Sequence, residues 1–189
     1  MSTKKLLGWI FAWILPLSSA WAGLRFEGGA LIGARFFQND DLKNAYGGAL
    51  LVYPHVSLVF GPVFLGGGYH FGETQRGSVG MFQDAAELMV AGPEIFVGLQ
   101  AKLGPVLPYV KAGAGFYSYE QKFLAAALRD FNVKGRKQGF CVGGGLKLPI
   151  GRVFRLAFAF DYLSLHASGI DSELDMSGIR ALGGFGLFF

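Results

Sequence analysis

The chain ends in a segment whose side chains sort by parity. In residues 177–189, SGIRALGGFGLFF, Ile179, Ala181, Gly183, Phe185, Leu187 and Phe189 fall on one face of an extended strand. Arg180, Leu182, Gly184, Gly186 and Phe188 fall on the other. Successive side chains of a strand point to opposite sides, so one face is apolar and the other is small with a single charge. The pattern recurs upstream. Phe26, Ala30, Ile32 and Phe36 share a parity, and Arg25, Glu27 and Arg35 share the opposite one. Ile95, Val97, Leu99 and Ala101 oppose Glu94, Gln100 and Lys102, and Val110, Ala112, Ala114 and Phe116 oppose Lys111, Tyr117 and Tyr119. Phe140, Val142 and Leu146 oppose Cys141 and Lys147, and Phe154, Phe158, Phe160 and Tyr162 oppose Arg155 and Asp161.

A soluble barrel or sandwich, such as a lipocalin-like fold, buries its apolar face and wets the charged one. A barrel in lipid does the reverse, because a Lys or Arg facing lipid costs about 2–4 kcal/mol at the midplane. Nearly every charge on these strands sorts this way, which places the charges in the lumen and the apolar face in the bilayer. Outward aromatics also gather near the strand ends, with Phe36, Phe71, Phe116 and Tyr162 at one level and Phe26, Phe60, Phe154 and Phe189 at the other. That fits two interfacial girdles.

Turn signals set the strand number. Gly61-Pro62, Gly104-Pro105 and Pro149-Ile150-Gly151 mark short turns. Longer polar stretches at 37–45, 73–87, 121–138 and 166–176 alternate with them. Three short turns and four long loops require eight strands. The predicted fold is all-β, an eight-stranded antiparallel up-and-down transmembrane β-barrel. Pro54 predicts a bulge or a ladder break, since proline has no N–H to donate. Residues 123–131, FLAAALRDF, predict a short helix within the third loop.

The N-terminus reads as a secretory signal. Lys4 and Lys5 precede an apolar run at 6–17, and Ala20-Trp21-Ala22 is an A-x-A cleavage site. The domain reading is therefore residues 1–22 as signal peptide and 23–189 as barrel. All three tryptophans, Trp9, Trp13 and Trp21, belong to the signal. A single cysteine, Cys141, excludes an intrachain disulfide and reads as a buried, inert thiol.

With eight strands, PYVKAGAGFYSY at 108–119, GFCVGGGLKL at 139–148 and a final aromatic, the chain resembles the OmpA/OmpX/opacity-type outer-membrane barrels. Gly184-x-x-Leu187-x-Phe189 also resembles the C-terminal signal of such barrels, with Leu182 where that pattern carries a polar residue. The resemblance implies the bacterial outer membrane, contact with its lipids and lipopolysaccharide, and delivery to the barrel-assembly machinery through the last strand. It implies a monomer, in a family that spans adhesins, surface antigens, membrane anchors and a few lipid-modifying enzymes. The sequence stops at Phe189, so the peptidoglycan anchoring of full-length OmpA-like proteins is not expected.

Three groups of residues are candidates for function. The first is a lumen charge network of Arg25, Glu27, Arg35, Glu94, Lys102, Lys111, Lys147, Arg155, Asp161 and Arg180, joined by His55 and His70. An eight-stranded barrel is just wide enough for side chains to fill, so these charges are expected to pair. Surplus cations are expected to reach water at the rims. The alternative is a narrow channel. The second is His166-Ala167-Ser168, which resembles the H-x-S pair of the eight-stranded lipid A 3-O-deacylases. In that family the pair lies within the strand, where this chain has Phe160-Asp161-Tyr162-Leu163-Ser164 and no histidine. The third is a basic third loop, with Lys122, Arg129, Lys134, Arg136 and Lys137 against Asp130, suited to lipopolysaccharide phosphates. No metal site or cofactor is predicted: the histidines are scattered, and Gly143-Gly144-Gly145 sits inside a strand rather than before a helix. The charge is too dispersed for nucleic acid.

Overall fold

The computed structural model describes residues 23–74, 77–79, 84–124, 132–168 and 173–189, the side chains of 79, 84, 166–168, 173 and 174 excepted. Residues 1–22, expected to be a signal, and the predicted helix at 123–131, past Leu124, lie outside the described residues.

In chain order the elements are β1 (Leu24–Phe37), α1 (Asp40–Tyr46), β2 (Gly48–Phe60), β3 (Val63–Thr74), β4 (Gly77–Val79) and β5 (Asp84–Gln100). There follow β6 (Leu107–Phe123), β7 (Val133–Ile150), β8 (Phe154–Ser164), β9 (His166–Ser168), β10 (Glu173–Asp175) and β11 (Gly178–Phe188). The sheet runs β3-β2-β1-β11-β8-β7-β6-β5, and β5 pairs back onto β3. Every pairing is antiparallel, so eight strands form a closed barrel with no free edge. The short β4 extends one wall beside β5, and β9 and β10 form a separate hairpin.

The short turns follow from their residues. Gly61 and Gly104 take φ of 58° and 60°. The following prolines hold φ near −65°, so each pair is a type II′-like reversal with glycine first, the geometry that matches strand twist. Pro54 interrupts the β2–β3 ladder between Val52↔Phe71 and His55↔Gly68, but the register is unchanged across the gap. The outcome is a break and not a bulge. Pro93 does the same between β5 and β6, where pairing skips from Ala91↔Ser118 to Glu94↔Gly115.

The exterior is the predicted apolar face. Ile32, Leu65, Ile95, Val110, Phe140, Phe160 and Phe185 are all more than half exposed. The buried residues lie inside the barrel, including Glu27, Arg35, Glu94, Asp161 and Arg180.

The first loop departs from its reading as a polar stretch. Residues Asp40–Tyr46 form a helix started by Asn39, whose Oδ1 accepts from Leu42 N at 3.1 Å. It ends at Gly47, whose N–H donates to the Lys43 carbonyl at 2.8 Å. Leu42 and Tyr46 are buried, packed with Phe37, Leu88, Tyr119, Leu163, Leu165 and Met176 across the loop end of the lumen. The third loop is also shorter than predicted, because β6 runs on to Phe123 and β7 starts at Val133.

Candidate functional site

The lumen is filled in layers. At the short-turn end, Glu27 from β1 accepts from Lys147 Nζ at 2.8 Å and from Arg155 Nη1 at 3.2 Å. The Arg155 guanidinium also lies over the Phe188 ring, 3.4 Å from its centre. Above this sit Leu31, Phe64, Phe96, Tyr109 and Tyr53, with Phe64 edge-on to Phe96 and to Tyr109. Neighbouring glycines make room for them. A methyl group on Gly98 would meet Phe64 Cζ at 2.2 Å.

The middle layer is ionic. Arg180 on β11 donates through both terminal nitrogens to Glu94 on β5, and Nη2 also reaches Asp161 on β8 at 3.2 Å. Lys111 on β6 pairs with Asp161 at 2.9 Å. Tyr117 Oη donates to Glu94 at 2.6 Å, and His70 Nδ1 stands 3.3 Å from Arg180. Cys141 is buried with its Sγ 3.9 Å from Glu94. Glu94, Asp161 and Arg180 each have more than one partner, the condition under which burial of charge is tolerated.

The third layer is the apolar seal of α1 and its neighbours. In it Tyr46 Oη accepts from Gln121 Nε2 at 3.0 Å, and burial holds the Tyr46 phenol above its ordinary pKa.

Two sequence expectations change here. Arg25 and Lys102 do not join the network. Both are exposed at the short-turn mouth, with Arg25 stacked 5.2 Å over Phe188. Arg35 was expected to pair or reach water, yet it is 1% exposed and makes no ion pair among the described residues. Its Nε and Nη2 have no partner there, and its guanidinium lies over Phe37 at 5.1 Å. Among the buried described residues, Arg35, Lys111, Lys147, Arg155 and Arg180 face only Glu27, Glu94 and Asp161.

The basic third loop resolves into strands. Lys122 lies on β6 and Lys134, Arg136 and Lys137 on β7, while Arg129 is outside the described residues. Cross-strand pairs Phe116↔Gln138, Ser118↔Arg136 and Glu120↔Lys134 climb the outward face in that order. Lys137 has the opposite parity, beside Tyr117, and is half-buried. Two adjoining grooves of about 460 and 290 Å³ follow this strip and share Ser118 and Arg136. The lower one sits on the ladder gap left by Pro93. The strip thus passes from apolar belt to exposed cations within a few residues.

His166 and Ser168 lie on β9, with backbone pairs His166↔Asp175 and Ser168↔Glu173. Their side chains fall outside the described residues. Among the described residues no cluster of His, Cys, Asp and Glu could hold a metal ion.

The seal was missed by sequence reading, although its signal was present. Asn39-Asp40-Asp41 followed by Gly47 is a helix start and stop, with Leu42 and Tyr46 one turn apart.

The sequence matches no protein-family model and no curated protein. Solved structures do match in fold. Neisserial surface protein A (NspA) superposes with a TM-score of 0.62 at 11% identity, over 88% of this chain and 97% of that one. Ail, the attachment invasion locus protein of Yersinia pestis, in complex with the heparin analogue sucrose octasulfate, gives 0.55 at 12% identity, over 88% and 97%. The N-terminal barrel of Pseudomonas aeruginosa OprF gives 0.52 at 14% identity, over 88% and 96%.

Proposed function

We propose that this chain, which has the fold of the OmpA/OmpX-type outer-membrane barrels, works as a sealed surface barrel that grips lipopolysaccharide and presents its loop end to partners outside the cell. The strip on β5–β7 carries this reading. Its Phe116 level lies at the edge of the apolar belt, and Ser118, Arg136 and Lys134 stand directly above. Outer-leaflet acyl chains meet the first and lipid phosphates meet the second. Lys122 is tied to Glu120 at 3.5 Å, which leaves Arg136 and Lys134 as the principal phosphate ligands. Ail's complex with a sulfated sugar supports polyanion binding as a use to which this fold is put.

The test is lipopolysaccharide titration of the refolded protein, read as the rise in its unfolding temperature. Changing Lys134 and Arg136 together to Gln should remove ~2 kcal/mol of binding, at about 1 kcal/mol per cation near an anionic surface. The unliganded stability should stay unchanged. Equal stabilisation of both proteins by lipopolysaccharide would refute the reading.

The channel and esterase readings gain no support. Among the described residues the ion pairs and the apolar seal occupy the lumen, so planar bilayers containing the protein should show no single-channel steps. Discrete steps in wild type would reinstate the channel. The esterase reading rests on His166 and Ser168 alone, whose side chains are not described.

A further inference from the structure

We propose that the short-turn mouth of the barrel, at the opposite end from the lipopolysaccharide strip, binds a small solute bearing oxyanions, carboxylate or phosphate. Short turns face the periplasm in outer-membrane barrels, so the site opens there. The mouth is a cavity of about 490 Å³. That is within the ~300–1,000 Å³ of sites that take small ligands. Arg25 and Arg155 stand on one wall, on β1 and β8, beside Phe188 of β11. Gln100 at the end of β5, Lys102 just past it and Leu107 of β6 form the wall across the barrel.

The charge balance points to an anion. No carboxylate is among the residues lining the cavity. Arg155 has Glu27, which Lys147 also holds. Arg25 and Lys102 make no ion pair among the described residues. The two guanidiniums are held in place by Phe188, at 5.2 Å for Arg25 and 3.4 Å for Arg155. These contacts pre-orient them, Arg155 more than the exposed Arg25, which lowers the ordering cost of binding. Guanidinium groups take carboxylate and phosphate oxygens in pairs, whereas Lys102 acts as a point charge from the far side. The Gln100 side-chain oxygen is buried with no partner among the described residues, an acceptor that suits a hydroxyl donor on the solute and not its oxyanions. A solute with anionic groups at both ends satisfies both walls at once.

Citrate and inorganic phosphate are the probes. Each is titrated into folded protein in lipid nanodiscs, against sodium chloride at matched ionic strength, following arginine Nε–H resonances. Saturable shifts of the Arg25 and Arg155 signals are expected for at least one probe. Tighter citrate binding identifies a carboxylate solute, and tighter phosphate binding a phosphorylated one. Arg25→Gln and Lys102→Gln should each weaken binding about tenfold, the scale of one charge-assisted contact. Lys134→Gln, at the other end of the barrel, should bind as wild type does. Both mouth residues are exposed and unpaired, so folding is retained, and a heat-modifiable gel band verifies it. Shifts that sodium chloride reproduces overturn the proposal. So does affinity that is unchanged in Arg25→Gln and Lys102→Gln.

Discussion

Replacing Glu94 by Ala should cost the barrel about 3–5 kcal/mol, the usual penalty for breaking a buried pair from one side. Glu94 is 2% exposed and takes donors from Arg180 on β11 and Tyr117 on β6. Without it, the carboxylate left to Arg180 among the described residues is Asp161, which Lys111 already shares, and Arg35 faces a more positive lumen. Glu94→Gln preserves the shape and should lie between wild type and Ala. Adding Arg180→Met to Glu94→Gln should restore part of the loss, because the stranded cation is then gone as well. Residues 23–189 contain no tryptophan, so urea titrations are best read by the heat-modifiable gel band. A loss of only ~0.5 kcal/mol for Glu94→Ala, typical of an exposed surface change, would mean that the network does not hold the wall together.

The next residue tests the other face. Ile95 is 68% exposed and points away from the lumen. If that face meets lipid, Ile95→Lys should cost about 2–4 kcal/mol in bilayers, while Ile95→Val should be nearly silent. The same substitution on a water-facing surface would cost almost nothing. A stable, freely soluble Ile95→Lys protein would therefore place the exterior in water and exchange the two faces of the barrel. Glu94 and Ile95 are adjacent in the chain, yet each is fatal in the other's environment. That is the most local statement of why parity cannot slip by one residue here.

Parity, turn chemistry and strand number were legible in the sequence because each is a local property. Arg25, Glu27 and Arg35 share a parity whatever they touch, and Gly61-Pro62 makes a tight reversal wherever it occurs. Lipid supplies the rest of the constraint, since it penalises any charge on the wrong face, and so the fold followed from composition sorted by parity. Partner choice was not legible. Nothing local says that Glu94 serves Arg180, 86 residues away, or that Lys147 reaches Glu27 across 120 residues. Those pairs depend on the stagger of the strands around the barrel. The same stagger leaves Arg35 under the seal and carries Arg25 and Lys102 out to the mouth. It lifts Lys134 and Arg136 from an apparent loop onto the outer wall, above Phe116. The sequence by itself determined which residues face in and which face out, because a strand alternates and lipid rejects charge. Only the tertiary structure decided which of them meet, because closing the barrel brings together side chains that the chain keeps far apart.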